Sequence, residues 1–366
     1  MNNKNFFTIV AFLGVLVFLG YLFSNILIFI LLAIIFASVG SPLMQLLQRI
    51  KIRNRSCSSS LAAAITLMVL VGVISLILYI LIPFVVKEIE YVSSIDPTLY
   101  TLAIENWLQQ ADKFLYEYGF LNDNEHLGDL LLTQMKSFLG SISVSGIIGN
   151  IISFTGTLFI LLFSVIFLSF YALKDKEFFF KMIRSAIPVT FRDNYDRIIT
   201  QTRIQVVRYF NAVLLDNIIL GAAIGIACYF AKVPNALLIG VLAGIFNIIP
   251  YIGPFIAMGL GLVISITALL PTNPSAEVLS LLFWKMAIIF AVLKAIDTFV
   301  LTPVIFGKSI KVHPVEIFIV ILLAGYLGGI IGMIFAVPAY SMIRIVVNEF
   351  FGNYYQSEEK IETTEK

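Results

Sequence analysis

The stretch Val233-Pro234-Asn-Ala-Leu-Leu-Ile-Gly240-Val-Leu-Ala-Gly244-Ile-Phe-Asn247-Ile-Ile-Pro250-Tyr-Ile-Gly253-Pro254 opens a run of 44 residues, 233–276, with no Asp, Glu, Lys, Arg or His. As a single helix the run would be about 66 Å long, roughly twice the hydrocarbon thickness of a bilayer. It must fold back or break, and its prolines and Gly253 mark where. Irregular backbone is tolerated at membrane depth only against protein or a water-filled cavity. Pro250 and Pro254 remove two donors, which predicts unpaired carbonyls there. Asn247 adds an amide, Tyr251 a hydroxyl, and Gly253 room for close approach. Residues 247–254 therefore read as the lining of a polar path, with a kink between packed helices as the alternative.

Four further runs lack charge: 5–48, 56–86, 137–173 and 317–343. The five together hold 183 of the 366 residues. Apolar residues make up 60% of the chain and charged residues 13%, with a mean hydropathy of +0.98. A soluble domain has about 45–50% and about 25% respectively. These values exclude a soluble enzyme, a secreted disulfide scaffold and a disordered chain. Cys57 and Cys228 lie in a basic loop and an apolar run, so they read as free thiols. The net charge of +2 is too small to suggest nucleic-acid binding.

The fold class that follows is an all-α polytopic membrane protein of about eight spans, with broken or re-entrant helices in the C-terminal half and a small helical ectodomain. Apolar segments at 6–23, 26–39 and 61–84 make an N-terminal group, 1–86, the first read as an uncleaved span. Between the second and third lies a basic loop with Arg49, Lys51, Arg53 and Arg55 and no acid, which the positive-inside rule places in the cytoplasm. Residues 87–136 carry three lysines against nine acids, net −6, so the segment 87–144 is expected outside as about two amphipathic helices. The span 145–173 returns inward. A 174–210 arm follows; eight bases and four acids in 174–208 put it in the cytoplasm, along the inner surface. Residues 211–350 form the expected transport core, with segments at 211–231, 234–270, 278–301 and 313–348. The two long ones, 234–270 and 313–348, either cross once or form hairpins. The tail 351–366 reads as disordered, and both termini as cytoplasmic.

The core carries a faint internal repeat. Asp216 precedes Pro234 by 18 residues and Asp297 precedes Pro314 by 17. Each proline leads into Leu-Ala-Gly, at 242–244 and 323–325, an offset of 81 residues. Chance similarity between Gly-rich apolar segments is the alternative. Repeats of this kind place transport sites where broken helices meet. Ionisable residues inside a membrane suggest function by default. Asp216, with Asn217 beside it, lies eight residues past Arg208, about 12 Å into the helix. Asp297 follows Lys294 at i+3, so the two can pair. The plainer readings are an interfacial cap for Asp216 and a structural ion pair for Lys294 and Asp297.

Gly221-x-x-x-Gly225, Gly240-x-x-x-Gly244 and Gly325-x-x-x-Gly329 permit close helix contact. Packing within the chain is one use; packing between subunits is another, and a homo-oligomer is expected. Gly307-Lys308-Ser309 resembles the end of a phosphate loop, but the first glycine of that motif would fall at Thr302. No ATP, cofactor or metal is expected, and no catalysis.

The motif 247–254 is similar to the signature of the autoinducer-2 exporter family of bacterial inner-membrane proteins. The likeness extends to Pro234-Asn-Ala-Leu-Leu-Ile-Gly240, to Asp297-Thr298-Phe-Val-Leu-Thr-Pro303-Val-Ile-Phe-Gly307-Lys and to His313-Pro314. It continues through Leu-Leu-Ala-Gly325-Tyr-Leu-Gly-Gly-Ile-Ile-Gly332 and covers essentially the whole chain. The resemblance implies export of autoinducer-2, a small sugar-like signal derived from dihydroxypentanedione. Some relatives are described as sodium(lithium)/proton antiporters. The expected path residues are Asn247, Pro250, Tyr251, Gly253, Pro254, Asp216, Asn217, Asp297, Thr298 and Pro303. The expected partners are the lipid bilayer and a small polar solute or a cation. A neutral polyol needs hydroxyl, amide and carbonyl partners. A sodium ion needs Asp216 and Asp297 to converge. A non-transport interaction protein needs neither.

Overall fold

A computed structural model describes residues 24–49, 51–52, 55–94, 144–175, 177–272, 274–306 and 314–364. The expected span at 6–23, both ectodomain helices and the polar loop 307–311 lie outside the described residues. The chain is all-α. Its helices are α1 (Ser24–Arg49), α2 (Ser59–Ser94), α3 (Val144–Lys174), α4 (Phe178–Ala186), α5 (Arg192–Phe230), α6 (Ala236–Phe246), α7 (Gly253–Leu269), α8 (Ala276–Ile296), α9 (Thr302–Phe306) and α10 (Pro314–Thr364). Among the described residues six helices are long and apolar enough to cross a membrane, and two shorter apolar helices accompany them. The basic loop after α1 carries a two-residue antiparallel ribbon pairing Lys51 with Ser56 and Ile52 with Arg55. The tail expected to be disordered is helical through Thr364. Gln356, Glu358, Glu359, Lys360 and Glu362 are strong helix formers, and no Gly or Pro follows Gly352 to stop them.

The chain divides into two compact units. The first holds α1, the start of α2, the end of α3, α4, the start of α5 and the end of α10. Its centre is Met44, Ala62, Ala63, Leu67 and Leu173. Small residues let these helices approach: a Cβ on Gly40 would meet the Thr66 methyl group at 2.8 Å. Buried hydroxyls turn back onto their own helices, Thr66 Oγ1 donating to the Ala62 carbonyl and Ser169 Oγ to that of Val165. Asn211 Nδ2 donates to the Ser38 carbonyl of α1 at 2.9 Å. The expected arm is built by α4 folding against the start of α5, with Arg184 paired to Asp196 and the Tyr195 hydroxyl donating to the Phe180 carbonyl. No loop separates that arm from the next span, since α5 runs unbroken from Arg192 to Phe230.

The second unit holds the end of α5 together with α6, α7, α8 and the first part of α10. α5 stops because Lys232 adopts a left-handed conformation, φ 57°, and the Val233 amide returns to the Cys228 carbonyl. Lys285 of α8 donates to the Ala231 carbonyl at 3.0 Å, placing a cation at the negative end of α5. α6 and α7 form a hairpin. Ser265 Oγ reaches the Pro234 carbonyl, Gly261 faces Ile239, and Gly253 faces Phe246, so the two helices run antiparallel. The 234–270 segment therefore doubles back, which decides between the two readings left open by its length.

The glycine pairs are used inside the chain. Gly221 and Gly225 of α5 interlock with Gly240 and Gly244 of α6, backbone against backbone. That packing seats α6 on α5. Around the contact lie Leu220, Ile224, Cys228, Ile239, Ala243, Ala257, Leu282, Met286 and Phe290.

α10 also doubles back. Gly329 has φ 57° and ψ −144°, a non-helical break. A Cβ on Gly332 would fall on the Ala324 carbonyl, and one on Gly325 against Met333. Both long segments of the repeat thus reverse at corresponding places, after Asn247 and at Gly329. Gly329→Ala should lower stability by about 1–3 kcal/mol, because only glycine adopts that backbone region without strain. A methyl group there meets nothing within 4 Å, so the cost is purely conformational. Gly328→Ala, equally unobstructed, is the control and should be neutral in thermal unfolding.

Candidate functional site

Asn247 caps α6 and is the first residue of the turn. The Ile248, Ile249 and Gly253 amides bond to the carbonyls of Ile245, Phe246 and Ile249, and the Ile252 amide to that of Pro250. Pro254 sits in the first turn of α7, where no amide donor is needed. The carbonyls expected to be bare are thus largely satisfied by the turn itself. A Cβ on Gly253 would collide with the Phe246 carbonyl, which accounts for glycine there. The polarity of the tip comes from the Asn247 side chain.

That side chain joins two helices. Its Nδ2 donates to Asp216 Oδ2 at 3.2 Å and to Asn217 Oδ1 at 2.9 Å, both on α5. Its Oδ1 accepts from Lys294 Nζ of α8 at 3.1 Å. Lys294 also pairs with Asp297 Oδ2 at 2.5 Å. With a carboxylate on one side and an ammonium on the other, the amide has one sensible orientation, and each bond polarises the next. Asp216 and Asp297 are thus linked through the Asn247 amide and the Lys294 ammonium. Asp216 is 7% exposed and Asp297 1%. Their Oδ1 atoms are buried without a hydrogen-bond partner among the described residues. Counted formally, two carboxylates and one ammonium give the cluster a charge of −1, with the aspartates buried and Lys294 partly exposed.

Asp297 opens a single π-helical turn, Asp297–Leu301, in which the Thr302 amide bonds to the Asp297 carbonyl. Such turns insert one residue into a helix and recur at functional sites. Of the expected path residues, the cluster gathers Asp216, Asn217, Asn247 and Asp297. Pro250, Gly253 and Pro254 shape the turn that presents Asn247. Tyr251 does not join: it is left-handed, φ 64°, and its ring packs edge-on against Phe318 at 5.4 Å. Thr298 and Pro303 are exposed, away from the buried face that Asp297 occupies. Lys294, read from its spacing as half of a structural pair, is the link between the two aspartates through Asn247. Its proximity to Asp297 was legible; its bond to Asn247, 47 residues away, had no sequence signal.

Helices of spanning length and two reversing segments define a multi-pass membrane protein, with a polar cluster shared by α5, the Asn247 tip and the end of α8. The sequence profile described as AI-2E family transporter matches residues 6–352. The chain belongs to that family. YrrI of Bacillus subtilis, named as a transport protein, is 31% identical over 232 residues, 62% of this chain and 60% of YrrI. YueF of the same organism, similarly named, is 29% identical over 55% of this chain and 51% of its own length. The chain thus spans little more than half of these two relatives. PerM of Escherichia coli K12, named as a permease, is 24% identical over 93% of this chain and 90% of PerM.

Proposed function

We propose that the protein is a secondary transporter that exports a small polar solute across the bacterial inner membrane, with both termini cytoplasmic and autoinducer-2 as the first candidate solute. Asp216, Asn217, Asn247 and Asp297 form its site. The observation that carries this reading is the convergence of the two aspartates of the repeat on the Asn247 tip. Buried carboxylate oxygens without partners are costly in a static packing role. They are understandable where water, a solute or a cation satisfies them during a cycle, which speaks against a purely structural protein. Hydroxyls of a sugar-like solute suit the amide and carboxylate groups, and the family description supplies the candidate.

The meeting of Asp216 and Asp297 favours a second reading, cation/proton antiport, in which the same cluster carries the transported ion. Proteoliposomes separate the two. Loaded with autoinducer-2, they should release it when a pH or sodium gradient is imposed, and Asp216→Asn should stop the release. Collapse of the pH gradient by sodium without any solute would favour antiport. Absence of both fluxes from folded protein would end the transport reading.

A further inference from the structure

The Lys294 ammonium is held by two oxygens, Asp297 Oδ2 and Asn247 Oδ1. The second oxygens of Asp297, its ion-pair partner, and of Asp216, on the other side of the Asn247 amide, are buried and unpaired among the described residues. This is the coordination a small cation would have, with a side chain supplying the cation for one half. We propose that Lys294 is a tethered cation filling half of a two-charge site, and that it thereby restricts the site to one monovalent positive charge, a proton or an alkali-metal ion, and excludes divalent cations. The proposal rests on the reading of Asp216 and Asp297 as the transport site.

Charge counting gives the selectivity. With Lys294 in place the cluster carries one negative charge, which a single proton or alkali-metal ion neutralises. A divalent cation would leave it positive by one, in an interior where an uncompensated charge is strongly disfavoured. Among the described residues no three His, Cys, Asp or Glu side chains come together that could compensate. Lys285, on the same helix, is engaged at the Ala231 carbonyl and belongs to the end of α5. Removing the Lys294 ammonium raises the charge to two negatives and uncovers Asp297 Oδ2 and Asn247 Oδ1. Two carboxylates with the amide oxygen of Asn247 form a hard, all-oxygen donor set of the kind calcium takes.

The test uses the full chain purified in detergent, with radioactive calcium in equilibrium dialysis and thermal unfolding with and without calcium chloride. The native chain and Lys294→Arg should bind no calcium specifically. Lys294→Met should bind about one calcium per chain, at least ~tenfold above the native level, and lose it again in Lys294→Met/Asp216→Asn. If Lys294→Met is recovered folded only in calcium, that dependence supports the same conclusion. Folded Lys294→Met that binds no more calcium than the native chain overturns the proposal, as does unfolded Lys294→Met that calcium does not rescue. Failure of the transport reading is seen separately: Asp216→Asn, with Lys294 native, would then carry solute or ion at the native rate.

Discussion

Asp297→Leu combined with Lys294→Leu should leave a folded protein whose transport is reduced about 100-fold, the equivalent of roughly 2.8 kcal/mol. Buried ion pairs replaced together by apolar residues of similar volume are often neutral or stabilising for folding. In the Lys294–Asp297 pair the carboxylate side is buried, 2% exposed, and the ammonium side is 38% exposed, so the lysine carries less of a desolvation cost than a fully buried partner would. Thermal unfolding should therefore stay within about 1–2 kcal/mol of the native chain. Transport should not recover, because the proposed site loses one of its two carboxylates and Asn247 loses the donor to its oxygen. A double variant that folds and transports at the native rate would reduce the pair to a structural element. Asn247→Leu is more disruptive than its apolar surroundings suggest. It strips a partner from Asp216, Asn217 and Lys294 at once, and each buried polar group left unpaired costs about 1–3 kcal/mol.

Gly240→Ala should destabilise the fold by about 3 kcal/mol and impair transport together. The added methyl carbon would lie 2.6 Å from Gly225 Cα, 2.7 Å from the Gly221 carbonyl oxygen and 2.8 Å from the Gly225 nitrogen. All three are backbone atoms of α5, so no rotamer change relieves the clash and the two helices must separate. α6 ends at Asn247, so a shift of α6 lengthens the bonds to Asp216 and Asn217. Gly259→Ala, where a methyl group meets nothing within 4 Å, should change neither property. Comparing the two by thermal unfolding and by proteoliposome flux isolates the interlock. Equal behaviour would mean that the helix contact is slack.

The spans and the reversal near Pro250 were readable because absence of charge and loss of backbone donors act locally. The glycine motifs announced close contact without naming partners: spacing within α5 says nothing about which helix meets it. Asp216 and Asp297 were each suspect alone, and the 81-residue repeat hinted at equivalence, yet their meeting depends on tertiary packing. Tyr251 shows how a turn can separate neighbours in sequence. Its hydroxyl made it a candidate, but the left-handed turn that Asn247 and Gly253 require sends the ring to Phe318. Thr298 and Pro303 stand outside the cluster for a similar reason, because a helix that buries Asp297 turns its neighbours outward.

The depth of Asp216 sets how strongly an electric field acts on whatever binds there. Eight residues separate it from Arg208 and fourteen from Phe230, where α5 ends, so the cluster divides that length of α5 roughly one to two. A charge arriving from the Phe230 side crosses roughly two-thirds of the intervening rise. At about 2.3 kcal/mol per elementary charge per 100 mV, that is ~1.5 kcal/mol, close to a tenfold change in occupancy. A charge arriving from the Arg208 side would feel about half as much, so in the proposed transport cycle membrane voltage would give the two entrances different affinities.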